Sequence, residues 1–402
     1  MKQLIIRPTR ILEESLESWY NSLCSGTDRT ERGCEMNSQG GSQEMIRHLN
    51  QQLVLGVIRK KEPVSRAQIA KELQLSRSTV SQIVDWLLQN GLVFEAEMEE
   101  TAGKTGGRPG QMLRYNAVSS YLIGLDLTHE KTTACLSDLR GKILLKEETA
   151  PPAGAEDVHA AVRHLLESAG IPPEKVSRIS ISLPGSVNAE GKVLRCSRLR
   201  WRNYDLKKEL SAWYGAPIDI NNDVNLALIG EQRFGKGRNC GNLVYLHLGE
   251  GIGCGILCNG QLVAGHSFMA GEIGRMVLRQ PMEDSPLSLE EAIGLSRFGS
   301  MEDFLSAVSG YTRGRSRDVE NIQSFIQVLT TAIVFTVGLL NPHRLILGGV
   351  MSEAMPDILE DIREAVAART STPVDIQLAS LGGEACLTGA LAFALNRLDR
   401  IE

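Results

Sequence analysis

The 402-residue chain is 42% hydrophobic and 23% charged, which excludes overall disorder and leaves room for two or three globular domains. Its net charge of −5 means that any nucleic-acid surface has to be a local basic face. No run of eighteen apolar residues and no signal-peptide pattern is present, so the expected location is the cytoplasm, with no membrane partner.

The eight cysteines are scattered without a CxxC pair, which favours reduced thiols over a disulfide framework or a structural zinc. Residues 1–42 end in MNSQGGSQE and show no sustained periodicity; they read as an extension with no predicted element, in which Met36 offers a second translation start.

A domain over 43–117 follows. From Ile46, the apolar residues Leu49, Leu53, Val54, Val57 and Ile58 fall at helix spacing. In SRAQIAKELQLSRSTVSQIVDWLLQNGLV, Ser65 and Gln68 form a capping-box signature, so a short helix is predicted to carry Ile69, Ala70 and Leu73 inward. After a break at Gln74-Leu75, Ser76 caps a second helix whose buried stripe is Val80, Ile83, Val84, Leu87 and Leu88, ending at Gly91.

Two short helices joined this tightly make a helix-turn-helix. The outer face of the second helix carries Arg77, Ser78, Ser81 and Gln82, residue types that suit base edges and phosphates in a major groove. Ser65, Arg66, Ser76 and Thr79 complete the candidate DNA contacts on these two helices. A solvated face in a small helical bundle would use the same residues.

LVFEAEME and QMLRYN read as the strands of a wing, and between them TAGKTGGRPG sets Lys104 and Arg108 on a glycine frame able to approach phosphates or the minor groove. An interdomain linker with incidental charges fits that loop equally well.

From Tyr121 the chain becomes α/β. LIGLDLTHEKTTACLSDLRGKILLKEE reads as three strands with turns near 128–131 and at Arg140-Gly141, and LVYLHLGEGIGCGILCNGQLVAGHSF repeats the plan about 120 residues later. Helical segments at roughly 155–169 and 319–340 follow the two meanders. Such internal similarity predicts two lobes, 118–235 and 236–402, facing each other across a cleft, with the last helix able to return to the first lobe. The fold class is thus α/β: an all-α/winged-helix DNA-binding domain followed by a two-lobed actin-like body, a ribonuclease-H-like duplicated fold of the sugar kinase, heat-shock protein and actin architecture.

In that architecture the first turn of each lobe handles nucleotide phosphates through glycine backbones. The turn Gly249-Glu250-Gly251-Ile252-Gly253 keeps glycines, whereas Thr128-His129-Glu130-Lys131 has none. Gly348-Gly349, after RLIL, is either part of an adenine pocket or an ordinary strand-to-helix turn. In DINNDVN, Asp223 is a carboxylate at a strand end, placed to take a proton from a sugar hydroxyl or to hold one.

The helix-turn-helix, GGRP, GLDL, PGSV, NNDVN, GEGIG and MAGEIGRM together resemble the ROK proteins, over residues 46 to 398, and within them the xylose repressor and N-acetylglucosamine repressor branch. The resemblance implies a sugar pocket at Asn222, Asp223, Glu272 and, by alignment, Glu290. Arg198 stands where kinase members have a sugar-contacting asparagine, and Arg275 where they have a zinc-binding histidine; an arginine cannot deprotonate to bind metal, so no metal site and no cofactor are expected. Either the effector is anionic, or Arg198 and Arg275 pair with Glu272 and Glu290 and close an empty site.

The expected function is a transcriptional repressor of sugar uptake or catabolism genes, a homodimer or homotetramer on a double-stranded DNA operator, released by a sugar or sugar-phosphate effector. Asp223 is then a vestigial base position. An active ATP-dependent sugar kinase with a DNA-binding domain, or a regulator that has lost sugar sensing, stands as the alternative.

Overall fold

The computed structural model describes residues 38–96, 111–279 and 287–398. Its first helix, α1 (Ser38–Lys61), begins inside the polar MNSQGGSQE stretch, where the sequence predicts no element. Once the apolar turns beyond Ile46 are helical, each upstream residue adds a hydrogen bond without a new nucleation cost, so the helix extends. Residues 1–51 and 52–402 form separate units by contact, and the description below concerns the second.

A short strand β1 (Val64–Ser65) leads into α2 (Arg66–Leu73) and α3 (Arg77–Gln89). Strands β2 (Val93–Ala96) and β3 (Met112–Tyr115) then pair antiparallel, and β1 joins the other side of β3, giving a three-stranded sheet in the order β1-β3-β2. Buried Val54, Ile58, Ile69, Val80, Val84 and Leu113 fill the space between the helices and this sheet. This is a winged helix.

The first lobe opens with the meander β4 (Tyr121–Leu127), β5 (Thr132–Asp138) and β6 (Ile143–Thr149), followed by α4 (Ala155–Ala169) and β7 (Val176–Leu183). A small sheet of β8 (Ser186–Val187), β9 (Val193–Cys196) and β10 (Trp201–Tyr204) precedes α5 (Leu206–Leu210), β11 (Ile218–Asn222) and α6 (Asp223–Arg233). The main sheet has the order β11-β7-β4-β5-β6, with β7 parallel to both β4 and β11.

The second lobe repeats that plan with β12 (Leu243–Leu248), β13 (Ile252–Cys258) and β14 (Gln261–Leu262). Asn259 and Gly260 both take positive φ (51° and 76°), the geometry of a two-residue hairpin turn. After β15 (Val277–Arg279), β16 (Leu287–Ser288), α7 (Leu289–Ile293), α8 (Met301–Thr312) and α9 (Ser316–Leu340) come β17 (Arg344–Gly348), α10 (Leu359–Ala367), β18 (Asp375–Leu378) and α11 (Ala385–Leu398). The sheet order β14-β13-β12-β17-β18 is the first lobe's order element for element. Helix α9 is long and apolar enough to cross a membrane, but Ile322, Phe325, Leu329, Ile333 and Val337 bury one face of it in the lobe's core.

The last helix returns to the first lobe. α11 packs against α6, β4 and β7, and a Cβ at Gly389 would lie 1.9 Å from the carbonyl oxygen of Leu226, so only glycine permits this approach of α11 to α6. The fully buried Glu231 on α6 fixes the loop leading into α11, accepting from the N–H groups of Ser380 (2.6 Å) and Leu381 (2.8 Å).

Candidate functional site

Two groups of residues carry chemistry, one on the winged helix and one where the lobes meet. Ser65 accepts from the Gln68 N–H at 3.3 Å while the Gln68 side chain accepts from the Ser65 N–H at 2.8 Å, completing the capping box of α2. The turn to α3 passes through Gln74 in the left-handed region (φ 53°). Ser76 then caps α3, accepting from the Thr79 N–H at 3.0 Å and bonding the Ser78 hydroxyl at 2.8 Å.

These bonds point the buried stripe Val80, Ile83, Val84 and Leu87 inward and leave Arg77, Ser78 and Gln82 exposed on the opposite face, with Thr79 and Ser81 half-buried beside them. Arg66 is engaged inside the domain: its guanidinium lies 2.8 Å from Asp85 of α3 and 3.7 Å from Glu95 of β2. Ser65 and Ser76 likewise use their hydroxyls as caps. Lys104 and Arg108 lie outside the described residues.

Between the lobes, Asn222 caps α6 by accepting from the Asn225 N–H at 3.2 Å, and it donates to the Gly185 carbonyl at 3.2 Å, which ties NNDVN to the PGSV segment. Asp223, the first residue of α6, accepts from the Val224 N–H at 2.9 Å. Burial, reinforced by the neighbouring Asp126 carboxylate, pushes its pKa up to about 7, against the lowering pull of that N–H and of Arg198. At neutral pH the carboxyl is therefore divided between a donor and an acceptor form, and either state can hold a hydroxyl. Asp126, at the end of β4, is itself raised by burial while the Ser182 hydroxyl pulls it down.

The arginines adopt pairings the sequence leaves unresolved. Arg275 lies 3.6 Å from Glu272, one turn away in the same short 3₁₀ segment. Arg198 does not pair with Glu272 or Glu290: it reaches across the cleft to Glu250 in the second lobe's glycine turn. Glu290 instead accepts from the Ile252 N–H at 3.2 Å, beneath that same turn. Gly274 leaves room for it: a Cβ there would lie 3.0 Å from the Glu290 carboxylate oxygen and 2.5 Å from the Ile252 carbonyl oxygen. Among the described residues no hydrogen bond or ion pair joins Glu272 or Arg275 to Asn222 or Asp223, so the structure brings Asn222, Asp223 and Arg198 together and leaves Glu272 and Arg275 as a pair of their own.

The first turn of each lobe carries its own polar contacts. In the first, the N–H groups of Glu130 (3.3 Å) and Lys131 (3.1 Å) donate to the Thr128 hydroxyl, and the Lys131 ammonium pairs with Glu148 at 2.7 Å. In the second, Glu250 pairs with Arg198 and the Glu290 carboxylate lies beneath the turn on the Ile252 N–H. Gly348 has a packing cause: a Cβ there would fall 2.1 Å from the Tyr245 hydroxyl oxygen.

Sequence reasoning missed His247. It sits half-buried on β12 with Gly253 and Gly348 as its neighbours on either side, and burial together with Arg198 holds its pKa down to about 4, so the imidazole is neutral at pH 7. The glycines opposite it were visible in the sequence, but their register with His247 was not. Cys386, at the start of α11, was also missed; burial and the carboxylates of Asp126 and Asp223 drive its thiol well above the ordinary range.

The winged helix and the body share one core. Leu122 of β4, Cys135 of β5, Leu139, and Leu387, Leu391 and Leu395 of α11 belong to the same buried cluster as Val54, Val84 and Leu113. At its rim Glu62 accepts from the Tyr115 N–H at 2.6 Å and pairs with Arg140, while Arg59 and Arg140 lie over the Tyr115 ring at 5.4 and 5.7 Å.

Comparison with known proteins agrees with this arrangement. Residues 122–294 match the family model described as ROK family, and residues 48–103 match that described as MarR family. The chain is 26% identical over 383 residues to the xylose repressor of Bacillus subtilis strain 168, covering 89% of this chain and 98% of that protein. It is 24% identical over 378 residues to the DNA-binding transcriptional dual regulator NagC of Escherichia coli K12, covering 84% and 90%. A crystal structure described as a ROK family transcriptional regulator, homologous to the E. coli MLC protein, superposes with a TM-score of 0.74 at 22% identity, over 88% of this chain and 97% of that one, and so shares its fold.

Proposed function

Because the chain joins a ROK-family domain to a MarR-like winged helix, we propose that it is a sugar-responsive transcriptional repressor, which binds an operator through α3 and senses its effector in the interlobe cleft. The observation that carries this reading is the uncovered face of α3: Arg77, Ser78 and Gln82 are exposed while the residues around them are capped or paired. Their guanidinium, hydroxyl and amide groups supply the donors and acceptors that base edges and phosphates require.

The protein works as a homodimer or homotetramer, two winged helices reading paired half-sites of double-stranded DNA. The effector is a sugar or sugar derivative, held by the amide of Asn222 and the carboxyl of Asp223. It releases the operator by favouring one arrangement of the lobes, and it can do so only through unequal affinity for the two arrangements. The shared core around Tyr115, Leu139 and α11 supplies a contiguous route from the cleft to the reader.

Phosphoryl transfer is not part of this proposal, since it depends on positioning and electrostatic stabilisation of the phosphates. In the Thr128 turn the Glu130 and Lys131 N–H groups are taken by the Thr128 hydroxyl, and the Glu250 turn presents carboxylate. One observation favours the kinase alternative: a carboxyl with pKa about 7 is suited to general base work. ATP-dependent phosphorylation of a sugar, abolished by Asp223→Ala, would establish that alternative.

The repressor reading is tested by selecting duplexes from a random pool and measuring their binding at fixed salt against a panel of sugars and sugar phosphates, because phosphate contacts make the affinity salt-dependent. Specific duplex binding that a sugar weakens is the expected result; no sequence preference at any salt would overturn it.

A further inference from the structure

Beside the cleft lies a second cavity of about 210 Å³. Its walls come from the β8–β9 hairpin and α5, from β11 and the first turn of α6, from the second-lobe segment Leu262 to Phe268, and from α11. Asn222 borders it, so it adjoins the effector site proposed above, but Asp223, Arg198, Glu272 and Glu290 do not line it. Its size is below the roughly 300–1,000 Å³ of drug-sized pockets, which admits a monosaccharide derivative and excludes a nucleotide.

The polar groups facing this cavity are unequally used. Asn188 accepts the Lys192 N–H at 2.8 Å through its Oδ1, and Asn221 accepts the Asn222 N–H at 2.8 Å through its own. Among the described residues nothing pairs the Nδ2 groups of Asn188 and Asn221 or the ammonium of Lys207. Asp219, the carboxylate in the wall, is already held by Arg178 at 2.8 Å. What remains is a set of N–H donors around the Lys207 ammonium, with the Arg397 guanidinium, stacked on Phe393, also in the wall, together with an unpaired acceptor, Asn225 Oδ1.

Phe268 closes the second-lobe side in the left-handed region (φ 58°), a strained conformation for a bulky side chain, of the kind found at ligand clamps. The Lys207 stem lies against Gly191, where a Cβ would come within 2.9 Å of the Lys207 Cδ.

We infer that this cavity binds a small hydroxylated anion, a sugar acid or a sugar phosphate. Lys207 and the amide N–H groups of Asn188 and Asn221 take the anionic oxygens, Asn225 Oδ1 accepts a hydroxyl, and Phe268 covers the carbon face. Both lobes contribute walls, so an occupant holds them in one arrangement and gives the protein a second small-molecule input.

The test is calorimetric titration of the full chain with gluconate, glucose 6-phosphate and glucose at constant ionic strength, repeated on Lys207→Met, Asn188→Asp and Lys208→Met. Asn188→Asp keeps the acceptor for Lys192 and replaces the donor with a carboxylate; Lys208→Met removes the same charge from the exposed neighbouring position. At least one anion is expected to bind, the carboxylate and phosphate arms showing which, with affinity about tenfold lower in Lys207→Met and Asn188→Asp and unchanged in Lys208→Met. Melting temperatures equal to that of the parent chain establish that the variants fold. Binding of neither anion, glucose binding as tightly as the anions, or full affinity in both site variants overturns the inference.

Discussion

Arg198 of the first lobe and Glu250 of the second form an ion pair across the cleft, joining residues on opposite sides of the interlobe opening. An exposed pair of this kind is worth no more than about 1 kcal/mol to stability, so its larger effect is on neighbouring charges. Arg198→Met is expected to raise the His247 pKa from about 4, yet leave it below 6.5 because burial is the larger cause. An NMR titration of the imidazole measures this, and an unmoved His247 would show that the arginine is not electrically coupled to it.

Asp223 makes stability depend on pH in a defined direction. Its folded pKa of about 7 is raised above the ordinary 3.8, so between those values the folded chain retains a proton that the unfolded chain has lost. Stability from this group is greatest below the lower value, falls as pH rises through the window, and levels off above the higher one. Asp223→Asn keeps an acceptor for the Val224 N–H and removes the titration. Its melting temperature relative to the parent should climb from about pH 4 to about pH 7 and then stay constant; a difference independent of pH would contradict the assignment.

Two arginines eleven positions apart should behave differently. Exposed Arg77 is expected to cost operator binding about 1–3 kcal/mol when replaced by alanine, with no change in melting temperature. Arg66→Ala should lower the melting temperature of the winged helix, because it leaves Asp85 and Glu95 without their shared partner. Operator titration and thermal melts on both variants separate reading from holding; the reverse pattern would reassign α3.

Gln74 sits left-handed in the turn between α2 and α3, where an L side chain is penalised by roughly 1–2 kcal/mol. Gln74→Gly relieves this but increases the freedom of the unfolded chain, so its net effect should be close to neutral. Gln74→Val, β-branched, should destabilise by on the order of 1–2 kcal/mol. Denaturant unfolding of the two variants decides, and equal stability of valine and glycine would mean that the turn is relaxed.

The elements legible in the sequence are those fixed by near neighbours. Ser65 with Gln68, Ser76 with Thr79, and the Asn259-Gly260 turn are encoded within a few residues, and the two meanders were legible because alternation and turn residues are local. The partner of Arg198 was not, since Glu250 lies 52 positions away and is brought near only when the lobes face each other. His247 needed the register that sets Gly253 and Gly348 beside it, and the conformation of Phe268 needed the loop that carries it. Charges in the cleft were countable; their pairing was a tertiary outcome.

The path of α11 limits how this protein can be cut and rejoined. A chimera made by exchanging everything before residue 118 for another reader would leave behind Leu387, Leu391 and Leu395, which belong to the winged helix's own core although they are encoded at the opposite end of the chain. A functional graft has to carry the matching face of the final helix with the new reader, and a truncation that removes Leu387, Leu391 and Leu395 would open the winged helix's core as well as the first lobe's.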